Sequence, residues 1–178
     1  HNFCELIHAS IDYLRKKKFV LYPDFATGGM IDVTDYNEGM RGGRVRVRAK
    51  IEEVDRKTLA IKDIPFGTTT TGLIDSIIKA NDKGKIKIRK VIDNTAKDVE
   101  IQVQLAPNQS PDIAIDALYA FTDCEVSISP NACIIIDEKP HFVSVHDILK
   151  ICTDQTVALL QRELEIRKGE LKEKILFS

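Results

Sequence analysis

Between Arg44 and Val54 apolar and charged residues alternate: Val45, Val47, Ala49 and Ile51 take one side, and Arg44, Arg46, Arg48 and Lys50 the other. A period of two belongs to a β-strand with one buried face, and it excludes a helix here. Asp55-Arg56-Lys57 has turn chemistry, and Thr58 to Ile64 is a second apolar-rich run, so the segment predicts a β-hairpin. The rest of the chain must supply something to cover its apolar face.

The chain does so in a repeating order. Thr70 or Thr71 can cap a helix carrying Leu73, Ile74, Ile77 and Ile78, stopped near Gly84. Ile86, Ile88 and Val91 mark a strand, and Val99, Ile101, Val103 and Leu105 a clearer one. Ser110-Pro111-Asp112 starts a helix with a cap residue, an N1 proline and an acidic first turn; Ile113, Ala114, Ala117, Leu118 and Phe121 follow. Strands at about Glu125–Ile128 and Ala132–Asp137, joined by Ser129-Pro130-Asn131, predict a closing hairpin. The sequence of elements, ββα–ββα–ββ, predicts an α+β fold: an antiparallel sheet of hairpins with helices on one face.

Helices bracket this middle. Asn2 with Glu5 resembles a capping box, and Phe3, Leu6, Ile7, Ile11 and Leu14 recur at helical spacing, predicting a helix over residues 2–17. A Gly-rich stretch, residues 26–31, follows the break at Tyr22-Pro23-Asp24, and Asp35 to Met40 could form a short helix ended by Gly42-Gly43. Ser144, with Asp147 three residues on, caps a helix of over thirty residues. Val157, Leu160, Leu164 and Leu171 keep a 3–4 rhythm, while Arg167 and Lys174 interrupt it. A helix that outgrows its domain is the root of a coiled coil or bundle. Residues 1–143 therefore predict one domain and residues 144–178 the start of an arm.

Composition limits the chemistry. The 178 residues are 43% hydrophobic and 30% charged, enough for one core and ordinary for a soluble domain, with no apolar run long enough to span a bilayer and no signal peptide. The chain opens on His1 rather than Met and directly on a helix signal, which points to an excised fragment. A formal net charge of −1 means that any nucleic-acid contact must come from local rows of cations. Cys4, Cys124, Cys133 and Cys152 form no C-x-x-C pair and the four histidines show no ligand spacing, so neither zinc nor a disulfide framework is expected, and a reducing cytoplasm fits.

The row Arg44, Arg46, Arg48, Lys50 is the sharpest candidate site. Like charges at every second strand position repel, and a neighbouring polyanion relieves the repulsion while phosphate contacts release counterions. Glutamates on neighbouring strands would also relieve it, leaving a solvated sheet face. Lys85, Lys87 and Arg89 repeat the alternation, equally consistent with solvent; Arg15-Lys16-Lys17-Lys18 is a helix C-terminal charge run. No arginine is adjacent to Tyr13, Tyr22, Tyr36 or Tyr119, and Tyr119 lies in an apolar helix. The glycines match no phosphate-cradling loop, and Asp32, Asp35 and Asp63 have no pairing that spacing establishes. A small-molecule-binding regulatory α+β domain would share the element order but needs neither the basic row nor the long helix. An RNA-binding sheet would need aromatic stacking residues, which the strands lack.

Several segments, in order, resemble the A subunit of bacterial type IIA DNA topoisomerases, topoisomerase IV and DNA gyrase. Pro23-Asp24-Phe25-Ala26-Thr27-Gly28-Gly29-Met30-Ile31 is similar to that family's P-D-F-P-T-G-G-I-I segment. Gly43-Arg44-Val45-Arg46-Val47-Arg48-Ala49-Lys50 resembles its basic strand, and Asp63-Ile64-Pro65-Phe66 its E-I-P-Y turn. Leu118-Tyr119, the segment Arg162 to Lys168, and His1-Asn2 also resemble family segments, with wording closer to topoisomerase IV. Two segments depart from the pattern: Lys90-Val91-Ile92-Asp93-Asn94 lacks an arginine, and Ile128-Ser129-Pro130-Asn131 replaces F-G-I-N.

The resemblance implies the tower domain and the first part of the coiled-coil arm. It implies a bacterial, cytoplasmic, nucleoid-associated enzyme of two A and two B subunits that passes one duplex through another. The catalytic tyrosine would lie upstream, so this chain would support DNA without cutting it. Mg²⁺ and ATP would act through the B subunit, leaving no cofactor in this chain. The implied partners are duplex DNA, the B subunit and another copy of the A subunit.

Overall fold

The computed structural model describes residues 1–177. In chain order the first elements are α1 (Phe3–Leu14), β1 (Met30–Asp32), a 3-10 turn (Asn37–Gly39), β2 (Val45–Arg48), β3 (Lys50–Asp55), β4 (Thr58–Asp63) and α2 (Thr70–Asp82). Then come β5 (Ile88–Asp93), β6 (Ile101–Leu105), α3 (Pro111–Phe121), β7 (Glu125–Ile128), β8 (Cys133–Ile136), β9 (Lys139–Phe142) and α4 (Val145–Leu176). This is the expected α+β fold, with its antiparallel strands divided among three sheets: β1-β2-β7, β3-β4-β6-β5 and β8-β9. By contact the chain forms two compact units, one of residues 1–24, 37–41 and 131–178, the other of residues 25–36 and 42–130.

In the second unit the four-stranded sheet builds the main core. Ile101, Val103 and Leu105 alternate inward along β6, and Leu73, Ile77 and Ala80 of α2 with Ala114 and Leu118 of α3 pack among them. Leu59, Ile61, Leu73, Ile77, Ile101, Val103 and Leu118 are fully enclosed. Each such aliphatic side chain contributes about 1.5–3 kcal/mol on leaving water, which makes this cluster the dominant stabilising element of the unit.

The first unit rests on helix caps and a smaller cluster. The Asn2 side chain accepts from the N–H of Cys4 (2.9 Å) and of Glu5 (3.3 Å), and α1 ends where Lys16 turns to φ 58°. Ala9, Leu21 and Leu149 are buried together, with Leu6, Phe19 and Val145 around them. Leu21 N–H donates to His146 Nε2 (3.3 Å), and Tyr13 Oη donates to Asp154 (2.8 Å). At α4 the Asp147 N–H donates to Ser144 Oγ (3.1 Å), so the expected cap starts the expected long helix of 32 residues. Every described residue of α4 beyond Val157 is exposed, including Leu160, Leu164 and Leu171.

Three local expectations are corrected. The alternating run from Arg44 is two strands, not one. Its backbone leaves the β1-β2-β7 sheet at Ala49, whose N–H donates to Cys124 O (2.7 Å), and enters the four-stranded sheet at Lys50. The closing hairpin is not β7 with β8: β7 is taken by β2, and β8 pairs instead with β9, turning through Asp137 (φ 49°) and Glu138 (φ 64°). Finally, α2 is capped by Thr69, whose Oγ1 accepts from Gly72 N–H (3.1 Å).

Candidate nucleic-acid interface

β2 is the middle strand of its sheet. Val45 and Val47 are buried, so the intervening arginines are turned to the other face. The antiparallel register then sets an acid across from two of them. Asp32 on β1 is opposite Arg46, and Glu125 on β7 is opposite Arg48. Directly opposed cross-strand side chains lie close enough to pair, and opposite charges there are favourable. Arg46 Nη2 donates to Asp32 Oδ2 at 2.6 Å, and Arg48 Nε to Glu125 Oε2 at 2.5 Å. Just before the strand, Arg44 Nε donates to Asp35 Oδ2 at 3.2 Å, and its N–H to Asp35 O at 2.9 Å. Lys50, in the other sheet, pairs with Glu52 at 3.2 Å.

Every member of the predicted row therefore has an acidic partner, and the acids compensate its charge. The arginines stay accessible, with side-chain exposures of 57% for Arg44, 41% for Arg46 and 43% for Arg48. A guanidinium offers five N–H donors; the pairings above use one of each, and the remaining edge can meet a phosphate oxygen.

The members differ in how tightly they are held. Arg48 also lies over the Tyr119 ring, 4.8 Å from its centroid, and Tyr119 Oη donates to Ala49 O at 2.9 Å. The Glu125 hydrogen bond is the main cause raising the Arg48 pKa, and burial raises that of Tyr119. Arg48 thus ties α3 to β2 and β7. Asp32 is held from both sides: Thr34 donates to Oδ1 through Oγ1 (2.6 Å) and N–H (3.0 Å), while Arg46 holds Oδ2. The Thr34 bonds first, then Arg46, bring the Asp32 pKa from 3.8 to about 2. Asp32, Asp35, Glu52 and Glu125 are the residues that sequence reasoning missed as a set. For Asp32, Asp35 and Glu125 that role depends on strand register and turn geometry, which single-strand spacing does not contain; Glu52 alone lies on its partner's own strand, two residues after Lys50.

The Gly-rich segment leading into β1 packs closely on both sheets' strands. A Cβ on Gly28 would meet the Asp63 carboxylate at 2.5 Å, and one on Gly29 would run into the Arg48 carbonyl oxygen. Asp63, expected at the surface, is half-buried there. The second basic row is placed differently from the first. Lys85 and Lys87 precede β5, Ile86 between them is buried, and Arg89 lies in the strand. The Arg15–Lys18 run follows the end of α1 and is fully exposed. Among the described residues no group of three His, Cys, Asp or Glu is placed to hold a metal ion, and no helix is long and apolar enough to cross a membrane. All four cysteines are free, and burial pushes the Cys124 thiol up to about 11.

The family model for the A subunit of DNA gyrase/topoisomerase IV matches residues 1–177, and the chain belongs to that family. It is 39% identical over 177 residues to the A subunit of DNA topoisomerase 4 from Borreliella burgdorferi, covering 99% of this chain and 28% of that protein. It is 32% identical over 165 residues to the A subunit of DNA gyrase from Lawsonia intracellularis, covering 86% of this chain and 20% of that protein. With the A subunit of DNA topoisomerase 4 from Staphylococcus aureus it shares 29% over 170 residues, 84% of this chain and 21% of that one. The chain spans under a third of the length of these relatives.

Proposed function

We propose that this chain is a non-catalytic, DNA-supporting segment of the A subunit of a bacterial type II topoisomerase, comprising the tower (residues 1–143) and the root of the coiled-coil arm (144–178). The parent enzyme changes DNA topology by ATP-dependent strand passage in the cytoplasm, with two A and two B subunits, and Mg²⁺ and ATP act through the B subunit. The observation that carries this reading is the family match along residues 1–177. The row Arg44, Arg46, Arg48 and Lys50 contacts the phosphate backbone through donors left over from the acid pairings. Such contacts position a duplex without reading its sequence.

The test is duplex binding by fluorescence anisotropy, from about 50 mM to 200 mM salt. Affinity is expected to be indifferent to sequence and to fall steeply with salt, and the chain alone is expected neither to cleave nor to relax DNA. No binding at the low-salt end would sink the DNA-supporting role, and relaxation by the chain alone would sink the non-catalytic one. Unchanged low-salt affinity in Arg44→Gln/Arg46→Gln/Arg48→Gln, with folding verified by circular dichroism, would remove that row from the interface.

A further inference from the structure

Cations without acidic partners gather elsewhere in the second unit. The turn between β3 and β4 carries Arg56 and Lys57, and the approach to β5 carries Lys87 and Arg89. The strand order β3-β4-β6-β5 brings these segments to one end of the sheet on either side of the end of β6. Backbone bonds fix the arrangement: Leu105 N–H donates to Lys57 O (2.7 Å), and Ala106 N–H to Lys87 O (3.2 Å). All four side chains are exposed, and among the described residues none of them is in an ion pair.

Arg89 is aimed by an irregularity in the strand. Ile88 pairs with Leu105 and Lys90 with Gln104, so Arg89 is the extra residue of a β-bulge. A bulge re-aims the side chain it inserts. It also lets Ile88 and Val91, three positions apart, both pack on the core. Arg89 lines an open cleft of about 480 Å³ together with Arg56, Lys57, Thr58 and Gln104. The carboxylate in that lining is Asp55, whose Oδ1 accepts the Lys57 N–H (2.7 Å).

We propose that Arg56, Lys57, Lys87 and Arg89 form a second phosphate-contacting surface for duplex DNA, and that it contributes more of the affinity than the neutralised Arg44–Lys50 row. The inference rests on the DNA-supporting reading above. The cleft's chemistry selects the ligand class. The N–H groups of Lys57 and Leu105 in this lining are already bonded within the fold and are not offered to a free phosphate. Among the described residues no aromatic side chain lines the cleft, so unstacked bases have no platform there, which disfavours a single strand. What remains is a patch of exposed cations suited to tracking a polyanion's backbone.

The experiment compares the 178-residue chain with Arg56→Gln/Lys57→Gln/Lys87→Gln/Arg89→Gln. The control is Arg162→Gln/Arg167→Gln/Lys168→Gln/Lys172→Gln, which removes the same charge from exposed positions of α4. Binding of a mixed-sequence duplex, the matching single strand and inorganic phosphate is titrated across salt. The patch variant is expected to lose at least about tenfold in low-salt duplex affinity, and its slope of log K against log salt should fall by about 3.6. The control should retain most of both. Should the quadruple variant unfold earlier, Arg56→Gln/Arg89→Gln decides, with an expected slope change of about 2. Wild-type duplex binding that the patch variant retains, an equal loss in the control, or a preference for the single strand or for inorganic phosphate overturns the second surface and leaves the broader reading standing. No duplex binding by the wild type overturns both.

Discussion

Gly29 sits at φ 106°, where an L side chain is strained, and it faces the Arg48 carbonyl closely enough that a Cβ has no room. Neither problem can be relieved by rotating a side chain, because the obstacle is backbone. Gly29→Ala is therefore expected to lower stability by at least about 1–3 kcal/mol, read as a drop in the denaturant midpoint. Gly28→Ala should be milder, since its obstacle is the movable end of Asp63. At this scale the basic row was legible from alternation alone. Its partners were not, because Asp32 and Glu125 reach Arg46 and Arg48 only through cross-strand register. Arg89 was legible as a cation in a period-two pattern, and illegible as the residue of a bulge.

Elements with local start signals were readable, and those defined by distant pairing were not. The Asn2, Ser110 and Ser144 starts and the 3.6 periodicity located α1, α3 and α4. By contrast, β9 contains Pro140, lies exposed along its whole length, and turns on Asp137-Glu138 rather than a glycine, so nothing in its composition marks a strand. The division at Ala49 is hidden for a different reason: Val45, Val47 and Ala49 keep one alternation up to the point where the chain changes sheets. For α4 the start is local and testable. Ser144→Ala removes the acceptor for Asp147 N–H and is expected to cost about 1 kcal/mol, measured by thermal or chemical unfolding.

Across the whole molecule a net charge of −1 conceals strong local structure in the charge distribution. The cations of one sheet face are matched by acids, and those at the end of another are not. The matched acids also shape the response to pH. Asp32 has its pKa lowered from 3.8 to about 2, so its stabilising contribution is complete above about 4 and is lost as pH falls towards 2. Asp93, lowered by the Thr95 hydroxyl, acts in the same direction. The thermal midpoint is expected to hold down to about pH 4 and then fall, with a shallower fall in Asp32→Asn. A midpoint that rose on acidification through that window would contradict the pairing. The acid–base ladder has one more consequence, on the timescale of descent rather than of folding. Losing the cation at position 46 or 48 alone leaves a carboxylate on the adjoining strand without its cross-strand partner, so substitutions at these sites are expected to be tolerated better in pairs than singly.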